Sequence, residues 1–112
     1  MLNPLSEIPG PIATDKTRKG NFFELHVIRE AWRRGAEVFP NAGGTGAVDL
    51  ILQHEGKTLE CDVKSMRYQN KCWKSCGHAV PKGVHVIHVN PATEKIRWTK
   101  GKEPEGWESF WD

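Results

Sequence analysis

The sequence predicts an α+β fold, a single domain in which one mixed β-sheet is flanked by helices. Three observations predict it. An amphipathic helical stretch lies near the N-terminus, two alternating strands form a tight hairpin at the centre, and two further short strands follow a basic middle segment. At 112 residues the chain has the size of one domain with one modest core.

Residues 1–15 contain Pro4, Pro9 and Pro11 with little periodicity and read as an extended N-terminal arm, leaving 16–112 as the folded domain. In residues 20–34, Phe23, Val27 and Ala31, with Ile28 and Trp32 on the neighbouring row, recur at the three-to-four spacing of a helix. Asn21 is a candidate N-cap and Gly35 follows the end. Residues 36–40 read as a short strand ended by Pro40, and 41–46 as a glycine-rich loop without the Gly-Lys-Ser/Thr of a nucleotide-binding loop. Residues 47–54 and 57–66 alternate as two strands, with Glu55-Gly56 as the turn between them. Residues 67–82 are basic and irregular, with room for one short helix. Residues 84–89 and 94–99 are the last two strands, separated by a turn at Pro91-Ala92.

Composition narrows the function. Charged residues make up 27% and hydrophobic ones 38%, as in a soluble globular protein, and no apolar run approaches the length a membrane helix needs. The first eleven residues lack the basic start and apolar stretch of a secretory signal. With that, three cysteines (Cys61, Cys72, Cys76) fit reduced thiols in a cytosol. Net charge is only +2, but the cations are clustered. Lys16, Arg18 and Lys19 precede the helix, and Arg67, Lys71, Lys74 and Lys82 sit in a middle segment almost free of acids. Such patches suit contacts to phosphates, and equally a solvated surface. Trp73, between Lys71 and Lys74, could stack on a base or cover the core edge.

The hairpin carries the chemistry. With a two-residue turn at Glu55-Gly56, His54 faces Lys57, and stepping outward pair by pair puts Asp49 directly opposite Asp62. Side chains alternate faces, so Asp49, Ile51, Glu60, Asp62 and Lys64 share one face. Val48, Leu50, Leu52, Leu59, Cys61 and Val63 share the other, which is apolar throughout and faces the core. Two opposed aspartates repel unless something positive lies between them. A hard divalent cation, Mg²⁺ or Mn²⁺, suits two carboxylates, and Lys64 points the same way. The alternative is an exposed polar face balanced by Lys57 and Lys64.

Glu24 on the helix, Asp49 on one strand and Asp62-Val63-Lys64 on the next resemble the pattern of the PD-(D/E)xK nuclease superfamily over roughly residues 19–66. Within it the chain is most similar to archaeal-type and phage Holliday-junction resolvases, which share the short length, the early helix acid and the Lys-Ser ending. The resemblance implies a restriction-endonuclease-like sheet and Mg²⁺-dependent cleavage of DNA phosphodiesters, with Mn²⁺ able to substitute. Asp49, Asp62 and Glu24 would hold the metal or its water, and Lys64 would be the catalytic lysine. The sequence departs from the pattern in having Val48 where a proline precedes the first Asp, and Asp62 where Glu is commoner; Glu60 is a substitute ligand on the same face. A resolvase further implies branched DNA as partner, a homodimer that makes two symmetric cuts, and action in the cytoplasm, for a phage protein that of its host.

Cys72, Cys76 and His78, with His85 or His88, form a weak zinc pattern. Trp98, Trp107, Phe110 and Trp111 crowd the C-terminus as a last core layer or a dimer contact. His26 and His54 read as surface residues.

Overall fold

The structure is a computed structural model and describes residues 16–42, 46–74 and 81–111. The expected arm at 1–15 therefore lies outside the described residues, as do positions 43–45 of the glycine loop.

Helix α1 spans Lys16–Arg33. It begins four residues before the expected start, which takes Asn21 into its interior, so Asn21 does not cap it. The periodic face is buried as expected through Phe23, Val27, Ile28 and Ala31, but Trp32 is 58% exposed. Gly35 ends the helix in the left-handed region (φ 89°), where the Ala36 N–H donates to the Ala31 carbonyl at 3.0 Å.

Five strands form the main sheet in the order β1-β2-β3-β6-β7: Glu37–Pro40, Leu50–His54, Lys57–Ser65, Val84–Val89 and Ile96–Trp98. β3 and β6 run parallel and the other neighbours antiparallel, so the sheet is mixed. Pro40, which has no N–H to give, sits on the edge strand β1. The β2–β3 hairpin has the expected register from His54↔Lys57 to Leu50↔Cys61. Glu55 and Gly56 both take positive φ (51° and 77°), which makes a two-residue turn that matches strand twist.

The middle segment differs from expectation. It holds no helix over 67–74; β4 (Arg67–Gln69) and β5 (Cys72–Lys74) pair as a small antiparallel sheet of their own. Its turn is Asn70-Lys71, again with two positive φ values (52° and 63°).

One core binds the sheet to α1 and to the C-terminal segment. Leu50, Leu52, Cys61, Ile87 and Val89 meet Phe23, Val27 and Ala31 from the helix and Trp98, Trp107 and Trp111 from beyond β6. The Trp98 indole N–H donates to the Trp107 carbonyl at 2.8 Å, and the Arg34 guanidinium lies over the Trp111 ring. Trp107 and Trp111 are 3% and 7% exposed, so the C-terminal aromatics are the last layer of the core and offer no dimer contact. Only one helix flanks the sheet among the described residues, and this aromatic segment supplies the rest of the cover.

Candidate active site

The face assignment read from alternation places the acids where the structure has them. Leu50, Leu52 and Cys61 are fully buried on the core side, while Ile51, Glu60, Asp62 and Lys64 take the other parity of the hairpin.

The ladder departs from simple extrapolation at Asp49. β2 pairs regularly only to Leu50↔Cys61. One step further, the Asp49 N–H still donates to the Cys61 carbonyl (2.9 Å), and the Asp49 side chain takes over the role a strand carbonyl would play. Its Oδ2 accepts the Val63 N–H at 2.8 Å. The two aspartates therefore meet by side chain at the place where β2 leaves the ladder, and not as a regular opposed pair.

The electrostatics show how tightly they meet. Burial first, then a hydrogen bond with Asp49 and its charge, push the Asp62 carboxyl up to about 7, against the opposing pull of Lys64. Asp62 is 7% exposed, and Lys64 Nζ lies 3.4 Å from its Oδ2. Glu24 approaches from α1: burial, and after it the charge of Asp49, raise its pKa above the ordinary glutamate value. The fold thus brings Glu24, Asp49, Asp62 and Lys64 together. Glu60 is exposed and two residues back along β3, about 7 Å away by strand rise.

Two adjacent carboxylates, Asp62 buried and Asp49 half-buried, are a donor set for a hard divalent cation. Mg²⁺ takes one or two carboxylates and completes its shell with water and phosphate oxygens. Among the described residues no group of three His, Cys, Asp or Glu side chains converges, so Glu24 stands beside the aspartate pair without closing a third ligand position. By donor chemistry Asp49 and Asp62 fit such a cation.

The other sequence-derived candidates are distributed more widely. Arg18 and Lys19 are exposed on the first turns of α1; Lys16 begins the helix. Arg67, Lys71 and Lys74 are exposed on the β4–β5 hairpin, directly downstream of Lys64. Trp73 is half-buried, its ring 5.2 Å from that of Tyr68 on the paired strand. Lys82 stands apart: it lies four residues before Val86, the ladder partner of Asp62, at the opposite end of β3 from the hairpin. Cys76 and His78 lie outside the described residues, and Cys72 is exposed on the hairpin. His26 and His54 are half-buried bridges and not surface residues. His26 Nε2 is 2.7 Å from the Glu94 carbonyl, and His54 sits against Gly35, Trp107 and Phe110.

The sequence offers His88 only as a zinc ligand, and the structure puts it near the site. His88 is the ladder partner of Lys64, is 1% exposed, and has Nε2 3.0 Å from Thr99 Oγ1. Burial, then the charge of Arg97, lower its pKa, so it stands neutral beside the lysine. The alternation of residues 84–89 carried the signal, since it puts His88 on the face of Asp62 once β6 is paired with β3.

A separate cleft of about 310 Å³, lined by Arg34, His54, Lys57, Trp107 and Phe110 among others, lies at the turn end of the hairpin. It contains none of the four site residues. Lys57 is five residues from Asp62, about 16 Å along the strand.

Among solved structures the chain is similar to a bacterial homing endonuclease, with a TM-score of 0.61 and 19% identity. The alignment covers 77% of this chain and 65% of that one, so the chain spans just under two thirds of its neighbour's length. The likeness shows a shared α+β fold. No family model matches the sequence, and no curated protein matches it.

Proposed function

We propose that the chain is a metal-dependent DNA endonuclease that hydrolyses phosphodiester bonds at Asp49, Asp62 and Lys64. The observation that carries this reading is geometric: Asp49, anchored to the Val63 N–H, and the buried Asp62 converge at the end of the β2–β3 ladder, with the Lys64 ammonium 3.4 Å from Asp62. A structural carboxylate gains nothing from a buried like-charged neighbour, whereas a cation site requires one. The likeness to a homing endonuclease supports the same reading.

Asp49 and Asp62 would hold Mg²⁺, or Mn²⁺ in its place. The cation supplies Lewis-acid charge to the phosphate and the attacking water. Lys64 brings a fixed ammonium to where negative charge grows in the transition state. Glu24, which holds a proton more tightly than an ordinary glutamate, orients water beside the pair. Asp49 is kept in place by the Val63 N–H and Lys64 by Asp62, so the arrangement is set before substrate arrives.

The finer assignment is a Holliday-junction resolvase acting as a homodimer inside the cell. Its support is the early helix acid Glu24 and the Lys64-Ser65 ending of the motif. The neighbouring homing endonuclease supports a second reading, a nicking, repair or restriction-type endonuclease on the same fold. Incubation with Mg²⁺ or Mn²⁺ and linear, nicked, flapped and four-way DNA separates them. Paired nicks about a branch point support the resolvase, and equal cutting of linear duplex refutes it. No cutting of any substrate with either cation refutes the nuclease.

A further inference from the structure

We infer that the β4–β5 hairpin is a DNA-reading ribbon that enters the major groove beside the cleavage site. This rests on the nuclease reading for its substrate. It goes beyond that reading in naming how the duplex is held and which side chains read it.

The argument begins with what the ribbon does not do. Among the described residues its two strands pair only with each other, as a sheet separate from the main one. The last tie to the sheet is Met66, which is buried and whose N–H donates to the Val89 carbonyl at 2.8 Å. From Arg67 onward, every residue through Lys74 is exposed except the half-buried Trp73. A lone two-stranded ribbon is marginal in water. This one is held by its two-residue turn and by the edge-on contact of Tyr68 with Trp73. Nothing in the core accounts for its presence.

The sequence of the ribbon accounts for a partner. Paired residues share a face, so Tyr68 and Trp73 form one side, and Arg67, Gln69, Cys72 and Lys74 the other. Arg67 is directly opposite Lys74. Like charges so placed destabilise a hairpin unless an anion lies between them. With Lys71 at the tip, residues 66–74 hold three cations and no acid. The occupant is therefore anionic, and the dimensions suit duplex DNA. The major groove is about 12 Å wide and admits a two-stranded ribbon. Arg67 and Lys74 would grip the flanking phosphates, while Gln69 and Asn70, with amide groups that pair with base edges, reach deepest. The tip is seven residues beyond Lys64, at most about 23 Å, so the bases read lie within about seven base pairs of the cut.

The test is binding to a mixed-sequence duplex about three helical turns long, with methyl green as major-groove competitor and netropsin as minor-groove competitor. Methyl green should displace the wild-type protein and netropsin should not. Arg67→Ala/Lys74→Ala should lose at least about tenfold in affinity, and its log–log salt slope should fall by about two units. Lys71→Gly keeps the turn, since glycine favours positive φ, and removes the tip charge. It should weaken binding and lower the slope by about one unit while leaving the fold as stable or more so. Displacement by netropsin, or unchanged binding of these variants, overturns the ribbon. Cutting of the same duplex with Mg²⁺ is followed in parallel. Loss of cutting with methyl-green-sensitive binding intact sinks the nuclease and spares the ribbon. Cutting by the wild type with unaltered variant binding does the reverse.

Discussion

Asp49 serves the fold and the site with one carboxylate, and substitutions divide the two roles. Its Oδ2 satisfies the Val63 N–H, so Asp49→Ala leaves a partly buried donor unpaired and should cost about 1–3 kcal/mol in denaturant unfolding. Asp49→Asn keeps an acceptor there and should lose cleavage with little loss of stability. Asp62 behaves oppositely. Its carboxyl holds a proton up to about pH 7 in the folded protein, well above the ordinary aspartate range. The folded state thus binds a proton that the unfolded chain has released, and stability from this group falls as pH rises from about 4 through 7. Without divalent cations, Tm should drop between pH 5 and 8. Asp62→Asn should flatten that slope, raise Tm at pH 8 and abolish cleavage. Calorimetry that finds a flat wild-type profile would remove the raised Asp62 carboxyl. A cation held by Asp62 must displace its proton, so Mn²⁺ affinity measured by titration should rise with pH through the same window.

Among the elements, the two hairpins show what a sequence discloses and what it conceals. β2 and β3 were legible because alternation, an apolar face and a Gly-containing turn all agree on one register. That agreement also located Asp62 and Lys64 on one face. It could not disclose that β2 leaves the ladder at Asp49, because a side chain replacing a backbone acceptor has no periodic signature. β4 and β5 were missed for another reason. Three-residue strands with no buried face give alternation nothing to act on, and the Asn70-Lys71 turn lacks the glycine that marks such turns. Helix α1 was found by its buried stripe but started too late. Its first turn, Lys16 to Lys19, carries no apolar residue to show in the pattern, and Asn21 mimicked a cap. In the first hairpin, Glu55 pays a conformational cost at φ 51°, so Glu55→Asn should stabilise the protein by up to about 1 kcal/mol. Gly35→Ala, at φ 89° and with the new methyl 3.6 Å from His54, should destabilise by about 1 kcal/mol or more. Chemical unfolding of both variants checks the pair.

For the whole molecule, the C-terminal aromatics close the core that a short chain with one described helix would otherwise leave open. Trp107→Ala should cost about 3–5 kcal/mol and unfold much of the population at moderate temperature, without changing the association state of the remainder. A sedimentation shift without loss of stability would restore these residues as a contact between copies. Among the described residues, the large apolar side chains left exposed are Leu25 at 59%, Trp32 at 58% and Phe22 at 39% on α1, Phe39 at 52% on β1, and Tyr68 at 38% on β4. The parallel pairing of β3 with β6 sets a last property of the architecture. Parallel neighbours cannot be joined by a tight turn, so the chain must leave the end of β3 and travel back before β6 begins. That obligatory excursion, residues 66–83, contains the basic ribbon and neither aspartate. Closing a longer connection costs little, about 0.6 kcal/mol for each doubling. Inheritance can therefore lengthen, shorten or rewrite this segment between fixed strands while the strands that position Asp49, Asp62 and Lys64 keep their places.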